Sequence, residues 1–360
     1  RETDLTIGAT LRPLMTQKSS LQIRPIFDYN AVQNHFHDSD DSNRSSRLAA
    51  DAQFDIAPSF GQAVTAGVEA SWTDIRSSIL VVDPSILDLG LYAQDEIRVS
   101  DRFRAVAGLR FDYHGATSAE SDFVVSPRIG GVYLPSQSVS LRASISRGYR
   151  APSAAEQYTE TTQFGFDVIP NLALSGERAW SGEIGTTAQV GGWLRLDGAV
   201  FYSDFQDLIE PSPVAGQFFT FQFQNVSKAR VFGLDTGAQV GLLGDQLGFK
   251  VNYLYLNSRD DRTGEALPYR SPHNLTLTVS AFRELVAVDY LYRSEVEEVL
   301  AYPLDPRGPI SVMDLRLSYR FGSWVVMGKV ANLLQSKYVD IQERNPGASR
   351  LFRLTVMPRF

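Results

Sequence analysis

Two arginines flank a tyrosine near the middle of the chain, and this trio is the first candidate for chemistry: Arg147, Tyr149 and Arg150. A guanidinium group presents paired N–H donors that match a carboxylate, so the arginines could bind an anionic ligand such as a ferric chelate. The trio lies where a predicted strand enters the longest predicted loop, residues 150–178. The alternative, and the more common role for such a segment, is to fix the loop. Both roles remain open at this point.

Aromatic residues in the predicted long loops form the second set of ligand candidates, because loops often carry binding function. They are Tyr158, Phe164, Phe166 and Tyr302. A further aromatic run, residues 218–223, could stack on a flat ligand. Its alternation is more typical of the aromatic girdle at a membrane interface.

Catalytic and metal-binding arrangements are scarce in this sequence. The chain has no cysteine and four histidines, and it contains neither HExxH nor GxSxG. The acidic segment 37–43 offers oxygen ligands for Ca²⁺ but lacks the glycine and terminal glutamate of an EF-hand, so a solvated loop is expected. We therefore predict no enzyme activity, no cofactor and no metal site.

Strands with one apolar and one polar face must position the candidate residues. The segment 102–113 places Phe103 and Phe111 on one face, and Arg104 and Arg110 lie on the opposite face. Side chains alternate between the two faces of a strand, so this period of two indicates β-structure. The pattern recurs along the chain and ends on an aromatic C-terminal residue.

These strands favour a transmembrane antiparallel up-and-down β-barrel over a soluble β-sandwich array. Predicted strands of roughly 10 to 15 residues exceed the usual soluble length and suit a tilted bilayer crossing. The charged second face needs water or partners, which a closed core does not offer. Short turns alternate with long polar loops, which predicts a periplasmic C-terminus. Candidates over residues 1–360 count to about seventeen strands.

The composition and the start of the sequence further limit which class of protein this is. The net charge of −7 argues against nucleic-acid binding, because phosphate recognition requires a basic face. No stretch reaches the ~20 apolar residues of a spanning helix. The chain starts without an initiating methionine or a signal peptide, so we expect a mature or truncated chain.

Several segments resemble TonB-dependent outer-membrane receptors. In family order they are YAQDE at 92–96, GLRFD at 108–112, SPR at 126–128, GYRAPS at 148–153, NLALSGERAWSGEIG at 171–185, NVSKARVFGLD at 225–235 and NLLQSKY at 332–338. Leu172 stands where the family pattern has proline. The resemblance extends from Leu89 to Phe360.

The resemblance implies a 22-stranded barrel with a plugged lumen, of which this chain would supply roughly strands six to twenty-two. The plug, the TonB box and the first strands have no counterpart here. The resemblance also implies a monomeric receptor in outer-membrane lipid. It would bind a ferric siderophore or cobalamin at the outer loops and use the TonB system for uptake. A passive porin-like channel is the alternative.

Overall fold

The computed structural model describes residues 2–35, 40–163, 165–217, 219–267, 270–283, 285–296, 308–338 and 349–358. Within these ranges, 20 strands belong to one sheet and a single short helix interrupts them. The all-β prediction is confirmed. No helix in the described ranges combines the length and the apolar character needed to cross a membrane.

The elements follow one another in chain order. The strands are β1 Glu2–Gly8, β2 Leu11–Met15, β3 Ser19–His35, β4 Asp40–Ile56, β5 Gln62–Ser77, β6 Ser85–Arg98, β7 Phe103–Ala116, β8 Asp122–Ser136, β9 Val139–Arg150, β10 Thr161–Gln163, β11 Phe166–Ile169, β12 Glu177–Val190, β13 Leu194–Pro213, β14 Thr220–Leu242, β15 Leu247–Asp260, β16 His273–Ala281, β17 Val286–Arg293, β18 Ile310–Phe321, β19 Trp324–Ala331 and β20 Leu351–Pro358. The helix, α1, spans Ala154–Tyr158.

The chain divides into two compact units. Unit 1 comprises Arg1–Val132, Ser144–Ser181 and Asp204–Lys228, and unit 2 comprises Tyr133–Ala143, Gly182–Ser203 and Ala229–Phe360. In unit 1, β3 to β7 pair antiparallel in sequence order. In unit 2, β15 to β20 do the same. One parallel pairing occurs in unit 1, where β11 lies beside the start of β14.

The described part of the chain has three more strands than the sequence predicts. The first predicted strand, 4–12, is split into β1 and β2, which both pair with β3. The pairing of β2 is irregular between Leu11 and Leu14, around Pro13, which has no N–H for a ladder hydrogen bond. The other two additions, β10 and β11, are too short for their alternation to be recognised.

The predicted loop 33–46 is wrong. The backbone pairing of β3 and β4 continues to the pair His35↔Asp40, so only residues 36–39 connect the strands. Polar residues on both faces hid this extension, because alternation disappears when neither face is apolar. Residues 37–39 of the possible calcium segment lie outside the described residues.

Short turns and longer loops otherwise alternate as predicted, except that the predicted loop 115–122 is reduced to the five residues 117–121 between β7 and β8. The turns after β4, β6, β8, β12, β14, β16 and β18 contain five residues or fewer, whereas the longest connections follow β9, β15, β17 and β19. The region between β9 and β12 carries α1, β10 and β11. We refer to residues 151–176 as the β9–β12 loop.

The two sheet faces differ as the alternation predicts. On the apolar face of unit 1, Leu91 is 57% exposed and Leu109 is 41% exposed. On the opposite face, Arg110 contacts Glu69 and Asp112 at 2.8 Å each. Unit 2 shows the same arrangement, with ion pairs such as Arg316–Asp289 on its polar face. Exposed aliphatic side chains opposite paired charges reverse the pattern of a soluble sheet.

Candidate ligand-binding loop and its anchors

Arg150, the last residue of β9, lies between two carboxylates of unit 1. Its Nε and Nη2 donate to the two oxygens of Glu177 at 2.8 and 2.7 Å. Its Nη1 and Nη2 donate to Glu156 at 2.9 and 3.0 Å. Glu177 also accepts the backbone N–H of Ile209 at 2.8 Å. The Arg150 guanidinium therefore joins the start of the β9–β12 loop to its end.

Tyr149 belongs to a second anchor, centred on Asp122 at the start of β8. The Tyr149 hydroxyl donates to Asp122 Oδ2 at 3.0 Å, and the backbone N–H of Gly176 donates to the same oxygen at 3.0 Å. Arg178 Nη2 donates to Asp122 Oδ1 at 3.2 Å. A Cβ at Gly176 would overlap the Tyr149 ring, so only glycine permits this close approach.

Side chains of β14 hold the last part of the loop through its backbone. The Asn225 amide oxygen accepts the Ser175 N–H at 3.0 Å, and its NH₂ group donates to the Ser175 carbonyl at 2.8 Å. Gln222 donates to the Pro170 carbonyl at 2.8 Å. In the other direction, Asn171 donates to the Phe223 carbonyl at 2.8 Å. We call the contacts of Arg150, Asp122 and Asn225 with this loop the loop clamp.

A capping box starts α1 beside the clamp. The Glu156 N–H donates to Ser153 Oγ at 3.3 Å, and the Ser153 N–H donates to Glu156 Oε2 at 2.8 Å. Burial acts to raise the pKa of the Glu156 carboxyl, but the hydrogen bonds from Arg150 and Ser153 outweigh it. The pKa of Glu156 is therefore lowered from its ordinary value.

Tyr158 has no exposed surface in the structure. Its hydroxyl donates to the Thr117 carbonyl at 2.6 Å, and its own carbonyl accepts the Val81 N–H at 2.9 Å. Burial raises the pKa of its hydroxyl. These contacts join the β9–β12 loop to the β5–β6 and β7–β8 loops. The predicted ligand contact is therefore replaced by an anchoring role, because no part of this side chain is accessible.

Phe166 lies in an aromatic cluster with Phe219 and Phe221. Its ring is perpendicular to that of Phe219, with centroids 5.4 Å apart, and lies 6.0 Å from that of Phe221. Phe219 remains 59% exposed. These two phenylalanines of the 218–223 run thus contact strand β11 of the β9–β12 loop, which the girdle interpretation did not anticipate. We call these three residues the aromatic cluster.

The remaining ligand candidates from the sequence are Arg147, Phe164 and Tyr302. Arg147 Nη1 donates to the Val125 carbonyl of β8 at 3.1 Å. Phe164 and Tyr302 lie outside the described residues. No group of three or more histidine, aspartate and glutamate side chains in the described ranges is arranged to hold a metal ion.

The main anchors that sequence reasoning missed are Asp122, Glu156 and Glu177. Of these, Glu156 carried a readable signal, because Ser153 and Glu156 have the S-x-x-E spacing of a capping box. Glu177 lies inside a segment that resembles the family pattern, but its partners were not deducible from it. Asp122 gave no signal.

Comparison with known proteins identifies the architecture. The family model "TonB dependent receptor-like, beta-barrel" matches residues 6–333. Among curated proteins, the ferric enterobactin receptor of Pseudomonas aeruginosa is 27% identical over 49% of this chain and 26% of its own length. The hemoglobin and hemoglobin-haptoglobin-binding protein of Haemophilus ducreyi is 26% identical over 45% of this chain and 19% of its own.

A solved structure extends the similarity to the whole fold. A mutant of the ferric enterobactin receptor of Pseudomonas aeruginosa superimposes with a TM-score of 0.80, covering 100% of this chain and 62% of its own, at 19% identity. The chain thus spans about a quarter or less of the two curated relatives and under two thirds of the solved chain. The family match covers most of the chain, and the chain belongs to the TonB dependent receptor-like β-barrel family.

Proposed function

We propose that the protein containing this chain is an outer-membrane receptor that takes up a scarce nutrient by TonB-dependent active transport. The ligand class is an iron–siderophore complex, bound at the long loops on the extracellular side. The short turns and the C-terminus face the periplasm. The barrel makes and breaks no bond; it provides a wall, a polar face and a set of positioned loops.

The loop clamp is the observation that carries this proposal. It fixes both ends of the β9–β12 loop while leaving part of the aromatic cluster exposed. A loop ordered before binding loses less conformational entropy when the ligand arrives. Exposed aromatic rings offer large apolar surface to a flat, aromatic chelator. The name of the Pseudomonas relative, a ferric enterobactin receptor, supports this ligand class.

The aromatic ends of β7 support the membrane crossing. Phe103 and Tyr113 lie on the same apolar face, ten residues apart, and are 38% and 37% exposed. Ten residues correspond to ~33 Å along a strand, and a tilt of about 40° reduces this to ~25 Å across the bilayer. That distance equals the height of the apolar band in outer-membrane barrels, about 25 Å.

The Arg147–Tyr149–Arg150 trio supports the receptor indirectly. Arg150 and Tyr149 make internal contacts with Glu177, Glu156 and Asp122. We therefore assign ligand contact to the aromatic cluster and loop positioning to Tyr149 and Arg150, whereas Arg147 holds β9 against β8. A passive channel is not favoured, because the curated relatives described above are named as a receptor and a binding protein.

Uptake of ⁵⁵Fe-enterobactin tests the proposal in a Gram-negative host that lacks its own siderophore receptors and carries the full-length protein. We expect uptake that disappears when TonB is deleted. The double variant Phe166→Ala/Phe219→Ala should weaken binding about thirtyfold, since two aromatic contacts of roughly 1 kcal/mol each sum to about 2 kcal/mol. Phe249→Ala, on the exposed apolar face of unit 2, is the matched control and should bind normally. Uptake without TonB, accompanied by ion conductance, would identify a passive channel instead.

A further inference from the structure

A cavity of about 870 Å³ lies at the short-turn end of unit 1, away from the loop clamp. The β2–β3 turn, the β4–β5 turn, β6, β7 and β8 line this open cavity. Its lining combines cationic and apolar groups, including Lys18, Phe60, Ile97, Arg98, Arg104 and Val106. Binding pockets for small organic molecules have volumes of about 300–1,000 Å³ and mostly apolar walls with a few polar groups.

The cations of this cavity are not balanced by carboxylates. Arg98 and Arg104 are direct cross-strand partners, an arrangement that is unfavourable for like charges. In the described ranges, the one ion pair of Arg98 is with the highly exposed Asp101, at 3.0 Å. Neither Arg104 nor Lys18 has an ion pair in the described ranges of the chain. Glu96 is the one carboxylate among the lining residues, and it already accepts a hydrogen bond from a glutamine amide.

The β4–β5 turn places one aromatic ring, that of Phe60, beside these cations. Gly61 has φ +80°, and its carbonyl accepts the Arg98 N–H at 2.7 Å. A Cβ at this glycine would lie 2.9 Å from the Arg98 Cβ, so glycine allows the turn to press against β6. The Phe60 ring consequently lies 5.6 Å from the Arg98 guanidinium carbon while remaining 93% exposed.

We propose that this cavity binds a small organic anion with a flat apolar body, such as an aromatic carboxylate or sulfonate. Arg104 and Lys18 provide free donors for the anionic group, and its charge relieves the repulsion between the two facing arginines. Phe60 and Val106, which lies on the same face of β7 as Arg104, cover the apolar body of the ligand. This site uses none of the clamp or cluster residues, so it stands whether or not the loops bind a siderophore.

Fluorine NMR of the full-length protein in lipid nanodiscs tests the site, with naphthalene-2-sulfonate as the probe. 4-Fluorophenylalanine at position 60 reports on occupancy. We expect a saturable change in its chemical shift, with an affinity that decreases as salt increases. The double variant Lys18→Gln/Arg104→Gln should raise Kd at least tenfold. Arg320→Gln, an exposed arginine of unit 2, is the matched control and should leave Kd unchanged.

Four results would overturn the proposal. A chemical shift that never saturates would show that the probe does not bind at a defined site. An equal Kd in the double variant would show that Lys18 and Arg104 do not bind the anionic group. Equal binding of uncharged 2-naphthalenemethanol shows that the anionic group is not recognised. Binding of a polyglutamate peptide without binding of the sulfonate assigns the cavity to an acidic polypeptide. The differential mobility of heated and unheated barrels on gels verifies that each variant is folded.

Discussion

Replacing Glu177 with alanine should release the β9–β12 loop while the strands remain intact. The carboxylate accepts two hydrogen bonds from Arg150 and one from the backbone of Ile209. Its side chain is only 12% exposed, so water cannot fully replace these partners. Arg150 retains Glu156, and the start of the loop therefore stays attached when its end is freed.

We expect Glu177→Ala to lower the free energy required for local opening of the loop by about 2.5 kcal/mol. Hydrogen bonds to charged groups contribute roughly 1.5–3 kcal/mol each. The sum must be reduced, because two of the three share one guanidinium and that group is 45% exposed. Since 1.36 kcal/mol corresponds to a factor of ten, about 2.5 kcal/mol predicts roughly 70-fold faster amide exchange where exchange follows the opening equilibrium.

Hydrogen–deuterium exchange with mass spectrometry, applied to the full-length protein in nanodiscs, measures this opening. Amides in 160–176 should exchange faster in Glu177→Ala, whereas those in β6 and β7 should not change. Glu183→Ala is the matched control, because Glu183 pairs with Arg142 in unit 2 and both side chains are 40% exposed. Unchanged exchange in 160–176 would refute the argument that Glu177 holds the end of the loop.

Three further outcomes follow from the structure. Gly67→Ala should lower the unfolding free energy by about 1–3 kcal/mol in urea titrations, because a Cβ there overlaps the facing tyrosine ring, while Gly148→Ala, with open space, should cost less. The lowered pKa of Glu156 means that its stabilisation of α1 is complete above pH 4.5 and disappears as the pH falls through the lowered value. Exchange in α1, compared with Glu156→Gln at each pH, should therefore converge with that of the variant in acid. A lipid-phase thiol reagent should label Leu317→Cys but not Arg316→Cys, and the reverse would contradict the assignment of the two faces.

The fold class was predictable because strand alternation is a local property. Phe103 and Arg104 are neighbours in the sequence, so their side chains must point to opposite faces of the strand. The two faces can therefore be assigned without knowing how the strands pair. The extent of β3 and β4 was not predictable. Near Asp41 the side chains are polar on both faces, and backbone pairing alone continues the hairpin.

The anchors of the candidate loop were only partly predictable. The residue types of the trio were recognised, but the partners of Arg150 lie 6 and 27 positions away. The nearer partner, Glu156, follows from the capping-box spacing. The contact between Asp122 and the Gly176 backbone joins residues 54 positions apart, so it depends on strand register that no local pattern encodes.

The partners of Asp122 and Asn225 determine which substitutions the end of the β9–β12 loop tolerates. Asp122 accepts hydrogen bonds from the side chains of Tyr149 and Arg178. The other hydrogen bonds of Asp122 and Asn225 described above are with main-chain atoms, those of Ser175 and Gly176. Main-chain atoms are common to nearly every amino acid, so replacing Ser175 should leave the contacts of Asn225 in place. Position 176 must remain glycine, because a Cβ there would overlap the Tyr149 ring. A loop of different sequence should therefore fit between these strands as long as it keeps a glycine at that position.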